Sequence, residues 1–424
     1  MGLGLLGRGV GDARFLAQQG AELIVTDLKS REELATSLAE LAAFPNITYV
    51  LGEHRLEDFR NRDYILKAAG VPLDSPYIAE ARAAGIPIKM SASWFAELAQ
   101  IPVIGITGTR GKSTTTHMIH AVLKEAQIPV LLGGNVRGVS TLALLDTVTE
   151  GDCALFELDS WQCQGFGEER MSPHIAVFTT FMRDHMNYYH DDMGAYLEDK
   201  AQIFKYQTAG DTLVLGTQCA PLIEETYGGA LAATVMHADA HTIPATWTLQ
   251  IPGEHNRYNA GLAYSVGKVL GLTEAVLERA LTSFAGVPGR LERVGVVQGV
   301  TVYNDTTATT PDATLAALEA LPRDSTVLIM GGADKGLPLE RLAERVRTLK
   351  SVVLLAGTGT DRLLPMLSDV VVCTSLAEAV SHAFAQSKPG DTLVLSPAFA
   401  SFGMFKNEYD RGDQFMSIIN SYGG

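Results

Sequence analysis

Residues 103–114 constrain this chain more than any other stretch. Val103-Ile104-Gly105-Ile106-Thr107 is a short apolar run, and Gly108-Thr109-Arg110-Gly111-Lys112-Ser113-Thr114 follows it without a break. The pattern predicts a buried strand turning directly into a helix, with successive backbone amides aimed at an anion. Lys112 supplies a mobile cation for the outer phosphates, and Ser113 offers a hydroxyl to Mg²⁺. Gly108 stands only three residues before Gly111, so the loop is shorter than the common G-x-x-x-x-G-K-S/T form. Such a segment binds a nucleoside triphosphate, and it needs a parallel α/β sheet to carry it.

The rest of the chain fits that requirement. Apolar bursts alternate with helix-length stretches, which predicts strands at 23–26, 47–51, 103–107, 130–132, 154–158, 175–179, 212–215, 327–330, 352–355, 370–373 and 392–395. Residues 216–252 read as Thr-rich and irregular, 256–270 as a helix, and 294–302 as a hairpin. One boundary precedes Ile101-Pro102, and a second lies at the Gly-Pro-Gly stretch Gly286–Arg290. The expected fold is therefore α/β in three domains: a Rossmann-like N-terminal domain (1–100), a central P-loop-type ATPase domain with a parallel sheet (101–287) and a Rossmann-like C-terminal domain (288–424).

Composition excludes several other classes. The 424 residues carry 33 Lys+Arg against 48 Asp+Glu, a net charge of −15, so coating nucleic acid or an anionic membrane is not expected. Cys153, Cys163, Cys219 and Cys373 are scattered, with no C-x-x-C pair and no disulfide framework. No apolar run approaches a membrane span, and Met1 opens no signal peptide. These features point to a cytoplasmic protein that does not insert into membranes.

Gly2-Leu3-Gly4-Leu5-Leu6-Gly7 reads G-x-G-x-x-G, and Asp27 follows the apolar run Leu23-Ile24-Val25. That is the logic of a nucleotide-binding unit, with glycines letting the backbone approach a diphosphate. The strand that should precede Gly2 is missing, so a first strand has been cut off or the pattern is accidental. Asp27-Leu28-Lys29-Ser30 suits a nucleotide contact and a plain strand-end turn equally well.

Around the phosphate loop, Glu157 closes a buried strand, where a carboxylate meets the phosphates and holds Mg²⁺. Asp184-His185 follow another strand and form a metal candidate. His190, Asp191 and Asp192 extend that cluster but read as the solvated approach to a helix. Lys200, on an amphipathic helix, reads on its own as a surface lysine. Trp94 and Phe95 read as core.

Taken in order, Gly105–Thr114, Gly133-Gly134-Asn135, Glu157-Leu158-Asp159-Ser160, Asp184-His185-Met186, Lys200, Gly253-Glu254-His255-Asn256, Gly289-Arg290, Asn304-Asp305 and Ser396-Pro397 with Ala400-Ser401-Phe402 resemble the motifs of the Mur ligase family. The resemblance spans nearly the whole chain and is nearest to the branch that adds the second amino acid of the peptidoglycan stem. It implies an ATP-dependent amide ligase that works through an acyl phosphate, and a monomer. The acceptor would be UDP-N-acetylmuramoyl-L-alanine and the incoming amino acid D-glutamate. Residue by residue, it implies catalytic roles for Lys112, His185 and Lys200. ATP would be held by Gly108 to Thr114 (including Thr109, Arg110, Gly111 and Ser113), with Asn256, Asn259, Arg290 and Asp305. The UDP substrate would meet Leu5, Leu6, Asp27, Leu28, Lys29, Gly70, Asn135 and His185, and the amino acid Thr309, Lys335, Ser401 and Phe402. Ser113, Glu157, His185 and a carbamylated Lys200 would hold two Mg²⁺ ions.

Four positions depart from the family pattern. Thr307 replaces a lysine near the incoming amino acid, Glu408 stands where an aromatic is usual, Asp159 replaces a serine, and Asp334 is an acidic residue shifted by one ahead of Lys335. These leave L-glutamate or another amino acid open. A folylpolyglutamate-synthetase-like ligase uses the same chemistry but lacks a Gly-rich first domain. A dinucleotide oxidoreductase leaves Lys112 and Glu157 unexplained. A non-catalytic nucleotide-binding homologue rests only on the departures and the missing strand.

Overall fold

The computed structural model describes residues 1–4, 7–136, 139–368 and 370–422. The chain divides into two compact units, Met1–Ala245 with Tyr258–Leu281, and Thr246–Arg257 with Thr282–Gly424.

The first unit holds three sheets. Six strands, β5 (Val103–Thr107), β6 (Val130–Gly134), β7 (Cys153–Glu157), β8 (Ile175–Phe178), β9 (Thr212–Gly216) and β10 (Thr234–Ala238), form one sheet in the order β10-β9-β8-β5-β7-β6. Every pairing in it is parallel. β5 and β7 are buried at every residue, as strands covered on both faces must be. The order reverses around β5, so the loop after it opens at the switch point where α/β sheets bind ligands. Phe95 packs edge-on to Phe156 in the core, as its sequence context predicts. β10 lies in the stretch read as irregular. It is a half-exposed edge strand, too mixed in polarity to announce itself.

Two short parallel pairs precede this sheet: β1 (Leu23–Asp27) with β2 (Ile47–Leu51), and β3 (Ile65–Leu66) with β4 (Ile88–Lys89). Between β1 and β3 lies a cavity of about 540 Å³. Leu23 and Asp27 bond toward β2, so the alternate residues Ile24 and Thr26 turn their peptide groups toward this cavity. On the other side Ile65 and Lys67 bond toward β4, which turns Leu66 inward. Gly2 N donates to Thr26 O, the Met1 ammonium to Leu66 O, and Ala68 N to Met1 O, so the first two residues bridge the two pairs at one end.

This N-terminal region is fastened to the large sheet. Asp12, on helix Arg8–Gln18, is buried and accepts from Ser91 (2.8 Å) and Ser140 (2.6 Å). Lys89 reaches Glu97 and Glu169 at 2.7 and 2.8 Å, and Arg82 reaches Glu168 at 2.7 Å.

The second unit is one six-stranded sheet of β11 (Glu292–Val297), β12 (Val300–Asn304), β13 (Thr326–Gly331), β14 (Ser351–Leu355), β15 (Val371–Cys373) and β16 (Thr392–Leu395), in the order β11-β12-β16-β13-β14-β15. Only β11 is antiparallel, and it meets β12 through a tight hairpin. Gln298 (φ 51°) and Gly299 (φ 81°) at its tip both adopt positive φ, the backbone twist that two-residue hairpins prefer. No described helix is long and apolar enough to cross a membrane.

Candidate active site

The loop after β5 is fixed by its neighbours. Thr109 N donates to Thr180 O (2.7 Å), Arg110 N to the Thr180 hydroxyl (2.9 Å), and the Thr179 hydroxyl to Arg110 O (2.6 Å). Gly108 (φ 139°) and Gly111 (φ 86°) have no room for a side chain. A Cβ on Gly108 would lie 2.0 Å from Thr179 Oγ1, and one on Gly111 2.4 Å from Asn259 Oδ1. Helix Lys112–Glu125 starts at once, presenting its free N–H groups and the buried Ser113 to the loop.

Two lysines converge on this loop. Lys112 Nζ donates to Gly108 O (2.8 Å) and Thr109 O (3.2 Å). Lys200 Nζ donates to Gly108 O (2.9 Å) and the Thr107 hydroxyl (3.4 Å), and lies 4.9 Å from the Tyr196 ring centroid. Lys200 is 1% exposed, so the surface reading of this residue taken alone is corrected. Its helix, Met193–Ala201, lays it inward against the sheet rather than out to water. Burial, and then the Lys112 charge, push its amine down to about 7.

Three further groups complete this side. Glu157 closes β7 beside β5, buried, with its carboxylate 3.5 Å from the Asn135 amide and its carbonyl accepting from Asn135 N (2.7 Å). Asp184 pairs with Arg110 (2.8 Å) and accepts from His185 N (2.9 Å). Burial would raise the Asp184 carboxyl, but His185 and Arg110 outweigh it and hold it below its usual value. His185 adopts φ 55°, a strained conformation for a non-glycine, and its ring lies 4.8 Å from that of Trp161. Burial lowers the imidazole below its ordinary value, which favours the neutral ring able to bind a metal. Asp191 pairs instead with Arg183 on the exposed approach to the helix, as the sequence predicts.

At the N-terminal end Asp27 is buried, and its two oxygens accept from Gly4 N and Lys29 N, both at 2.9 Å. It is thus an organiser of the Gly-rich turn, while Leu28 beside it is 66% exposed. Gly70 lines the cavity between β1 and β3, and its turn is held from behind by buried Lys67, which donates to Val71 O (2.9 Å). Leu5 and Leu6 lie outside the described residues. Sequence reasoning missed Arg8, whose guanidinium donates to Asn135 Oδ1 (2.6 Å). Its position directly after Gly7, at the first residue of a helix, was the available signal. Asn259 lies in this unit, buried at the loop.

In the second unit, Asn256 is buried and donates to Pro252 O (2.6 Å). Arg290 is exposed, whereas Asp305 is buried, accepting from Leu291 N (2.9 Å) and the Ser396 hydroxyl (2.7 Å). Burial pushes the Asp305 carboxyl up to about 7. Lys335 donates to the Thr309 hydroxyl (3.0 Å), Ser401 is buried and Phe402 is 68% exposed. Thr307 turns its hydroxyl to Gly289 O (2.8 Å), and Glu408 begins helix Glu408–Tyr422, where an acidic side chain favours the helix dipole. Arg411 is a second residue that sequence reasoning missed. Fully buried, it donates to Thr306 O (2.8 Å), Thr306 Oγ1 (3.2 Å) and Phe399 O (3.4 Å), joining the loops after β12 and β16.

Three family models match in sequence order: the Mur ligase MurD-like N-terminal domain over residues 1–90, the Mur ligase middle domain over 106–267, and the Mur ligase glutamate ligase domain over 289–399. A UDP-N-acetylmuramoylalanine–D-glutamate ligase of Roseiflexus sp. (strain RS-1) is 38% identical, across all of this chain and 98% of its own length. One of Borreliella burgdorferi (strain ZS7) is 33% identical, across all of this chain and 97% of its own. Among solved structures, a UDP-N-acetylmuramate–alanine ligase of Thermotoga maritima has the same fold, with a TM-score of 0.61 at 19% identity over 99% of this chain and 98% of that one. A folylpolyglutamate synthase of Mycobacterium tuberculosis, complexed with ADP, aligns with a TM-score of 0.58 at 17% identity, over 77% of this chain and 94% of its own.

Proposed function

The chain belongs to the Mur ligase family, and from that membership we propose that it joins D-glutamate to UDP-N-acetylmuramoyl-L-alanine at the expense of ATP, in the cytoplasm and as a monomer. Full-length relatives at 32–38% identity carry that activity in their names, and the ligase class follows from them. The observation that carries the chemical reading is the meeting of Lys112 and buried Lys200 at the carbonyl of Gly108.

Residues 1–100 would hold the UDP end, 101–287 the ATP and 288–424 the amino acid. Gly108 to Thr114 present amides to the phosphates, and Lys112 exchanges its bond to Gly108 for the outer phosphates. The acceptor carboxylate oxygen attacks the γ-phosphorus, ADP leaves, and an acyl phosphate forms. The amine of D-glutamate then attacks the acyl carbon and loses a proton, and the carbon–oxygen bond to phosphate breaks. Positioning and charge stabilisation do most of this work.

As an ammonium, Lys200 beside Lys112 does not suit a cation site; as a carbamate it does. Its amine, depressed to about 7, is partly neutral at physiological pH and can attack CO₂, forming an N–C bond with loss of a proton. Ser113, Glu157, His185 and that carbamate would hold two Mg²⁺ ions, which when bound neutralise charge on the phosphates and the acyl group. Arg8 and Asn135, bonded to each other, face the acceptor together. Asn256, Asn259 and Arg290 contact ATP, while Asp305 shapes the loop that carries Arg290. Lys335, Thr309 and Ser401 bind the glutamate carboxylates. Thr307 is occupied by Gly289 O, and Glu408 stands in the first turn of its own helix.

Phosphate release with ATP, Mg²⁺ and UDP-N-acetylmuramoyl-L-alanine, run separately with D-glutamate, L-glutamate and a panel of other amino acids, tests the reading. Turnover with D-glutamate alone is expected. Turnover only with another amino acid would overturn the substrate, and none with any would overturn the reaction.

A further inference from the structure

Cys373, Glu378 and His382 lie in the second unit, away from every residue assigned above in sequence and element. Cys373 ends β15, the outermost strand, and is fully buried. Glu378 and His382 lie on helix Leu376–Gln386, four residues apart and so on one face. One ligand atom from each of the three lies within 4.8 Å of the other two. Among the described residues this is the one group of three His, Cys, Asp or Glu side chains that converges in this way.

Two further observations separate this cluster from a chance gathering of side chains. The thiol of Cys373 has no hydrogen-bond partner among the described residues, as is also true of buried Cys153, whereas buried Cys163 and Cys219 each find an oxygen, at Thr107 and Gly216. The Glu378 carboxylate is also held in place from outside. One oxygen, Oε2, accepts from Thr374 N (2.9 Å) and the Thr374 hydroxyl (3.4 Å), which fixes the orientation of the carboxylate. Carboxylates that ligate metals are commonly oriented by such outer bonds.

We propose that Cys373, Glu378 and His382 form a binding site for a borderline-soft divalent cation of the Zn²⁺ type, with one coordination position left to water. Sulfur, nitrogen and oxygen donors together select Zn²⁺ over the hard Mg²⁺ of the ligation reaction, which does not take thiolate. Binding replaces the S–H bond of Cys373 by a sulfur–metal bond and releases the proton to solvent. An uncoordinated thiol carries its proton at neutral pH, so that proton is there to be released on binding. The bound ion ties the end of the edge strand β15 to the helix that covers it.

The test titrates the chelator-stripped full chain with Co²⁺, following thiolate-to-cobalt charge-transfer absorption, with Zn²⁺ and then excess Mg²⁺ as competitors. The expected result is one Co²⁺ per chain, about one proton released, displacement by Zn²⁺ and none by Mg²⁺. The absorption should vanish in Cys373→Ser, and Co²⁺ should bind at least tenfold more weakly to His382→Gln. An absorption absent from the wild-type chain, or one that persists in Cys373→Ser, overturns the site. If Cys373→Ser does not fold, unchanged Co²⁺ affinity in both His382→Gln and Glu378→Gln overturns it instead.

Discussion

Lys112 and Lys200 share one acceptor: both side-chain nitrogens donate to the carbonyl oxygen of Gly108, at 2.8 and 2.9 Å. Two ammonium groups this close, one of them buried, disfavour each other's charge. Burial first, and then the Lys112 charge, lower the Lys200 amine from 10.5 to about 7.

Lys200→Met should therefore separate stability from activity. Below about pH 7 the lysine is charged in both the native and unfolded chain, and its burial penalty is fully present. Between about 7 and 10.5 the unfolded chain holds a proton that the native one has lost, so stability rises with pH. Thermal melts at pH 6 and pH 10 should show the variant above wild type, by more at pH 6. Its turnover should fall by about 100-fold or more, the scale set by losing one preorganised charge-stabilising group.

Arg8→Met removes a guanidinium bonded at 2.6 Å to Asn135. A charge-assisted hydrogen bond contributes about 1.5–3 kcal/mol. Initial-rate kinetics should show KM for the UDP substrate rising roughly tenfold or more, with KM for ATP unchanged. A parallel rise in both would place Arg8 outside acceptor binding.

The space between β1 and β3 is bordered by strand backbone on both sides. Ile24 and Thr26 face it from one side and Leu66 from the other, and Met1 and Gly2 already bond to both walls at one end. A chain carrying about 15 further apolar residues ahead of Met1, a strand and its lead-in, should bind the UDP substrate more tightly with ATP affinity unaltered. Isothermal titration of both ligands to both chains decides this. Equal affinity for the UDP substrate would contradict it.

Asp305→Asn should flatten one limb of the stability curve. In the native chain the carboxyl is raised from 3.8 to about 7, so between those values the native state keeps a proton that the unfolded state has lost. Stability contributed by this residue therefore declines as pH rises from about 4 to about 7 and stays low above. Relative to the asparagine variant, wild type should melt higher at pH 4.5 than at pH 8.

Much of this was legible in order along the chain. Hydrophobic runs located the buried strands, because a parallel strand covered on both faces is nearly continuous in apolar residues. The phosphate loop announced itself through the glycines at 108 and 111, where the backbone admits no Cβ. What stayed hidden depends on distant partners. Lys200 reads as solvated because nothing local shows that its helix turns it toward Gly108, ninety-two residues away in sequence. Arg411 gave no signal at all, since its partners Thr306 and Phe399 come from two other loops. Thr307 and Glu408 looked like changes in substrate charge, yet the Thr307 hydroxyl is engaged by Gly289 O, and Glu408 stands in the first turn of its helix, where the dipole favours an acidic group. The spacing of Cys373, Glu378 and His382 fits no linear metal motif, because a strand end and a helix contribute to it separately.

The fastening of helix Arg8–Gln18 to its neighbours bears on how this enzyme can be recombined. Asp12 is shared between Ser91 and Ser140, and Lys89 and Arg82 reach Glu169 and Glu168. The first hundred residues are therefore not an exchangeable cassette. A chimera that replaces residues 1–100 would leave Ser140 without Asp12, Glu168 without Arg82 and the largely buried Glu169 without Lys89, unless the grafted segment supplied equivalents. The first hundred residues and the large sheet that follows are, in this chain, inherited together.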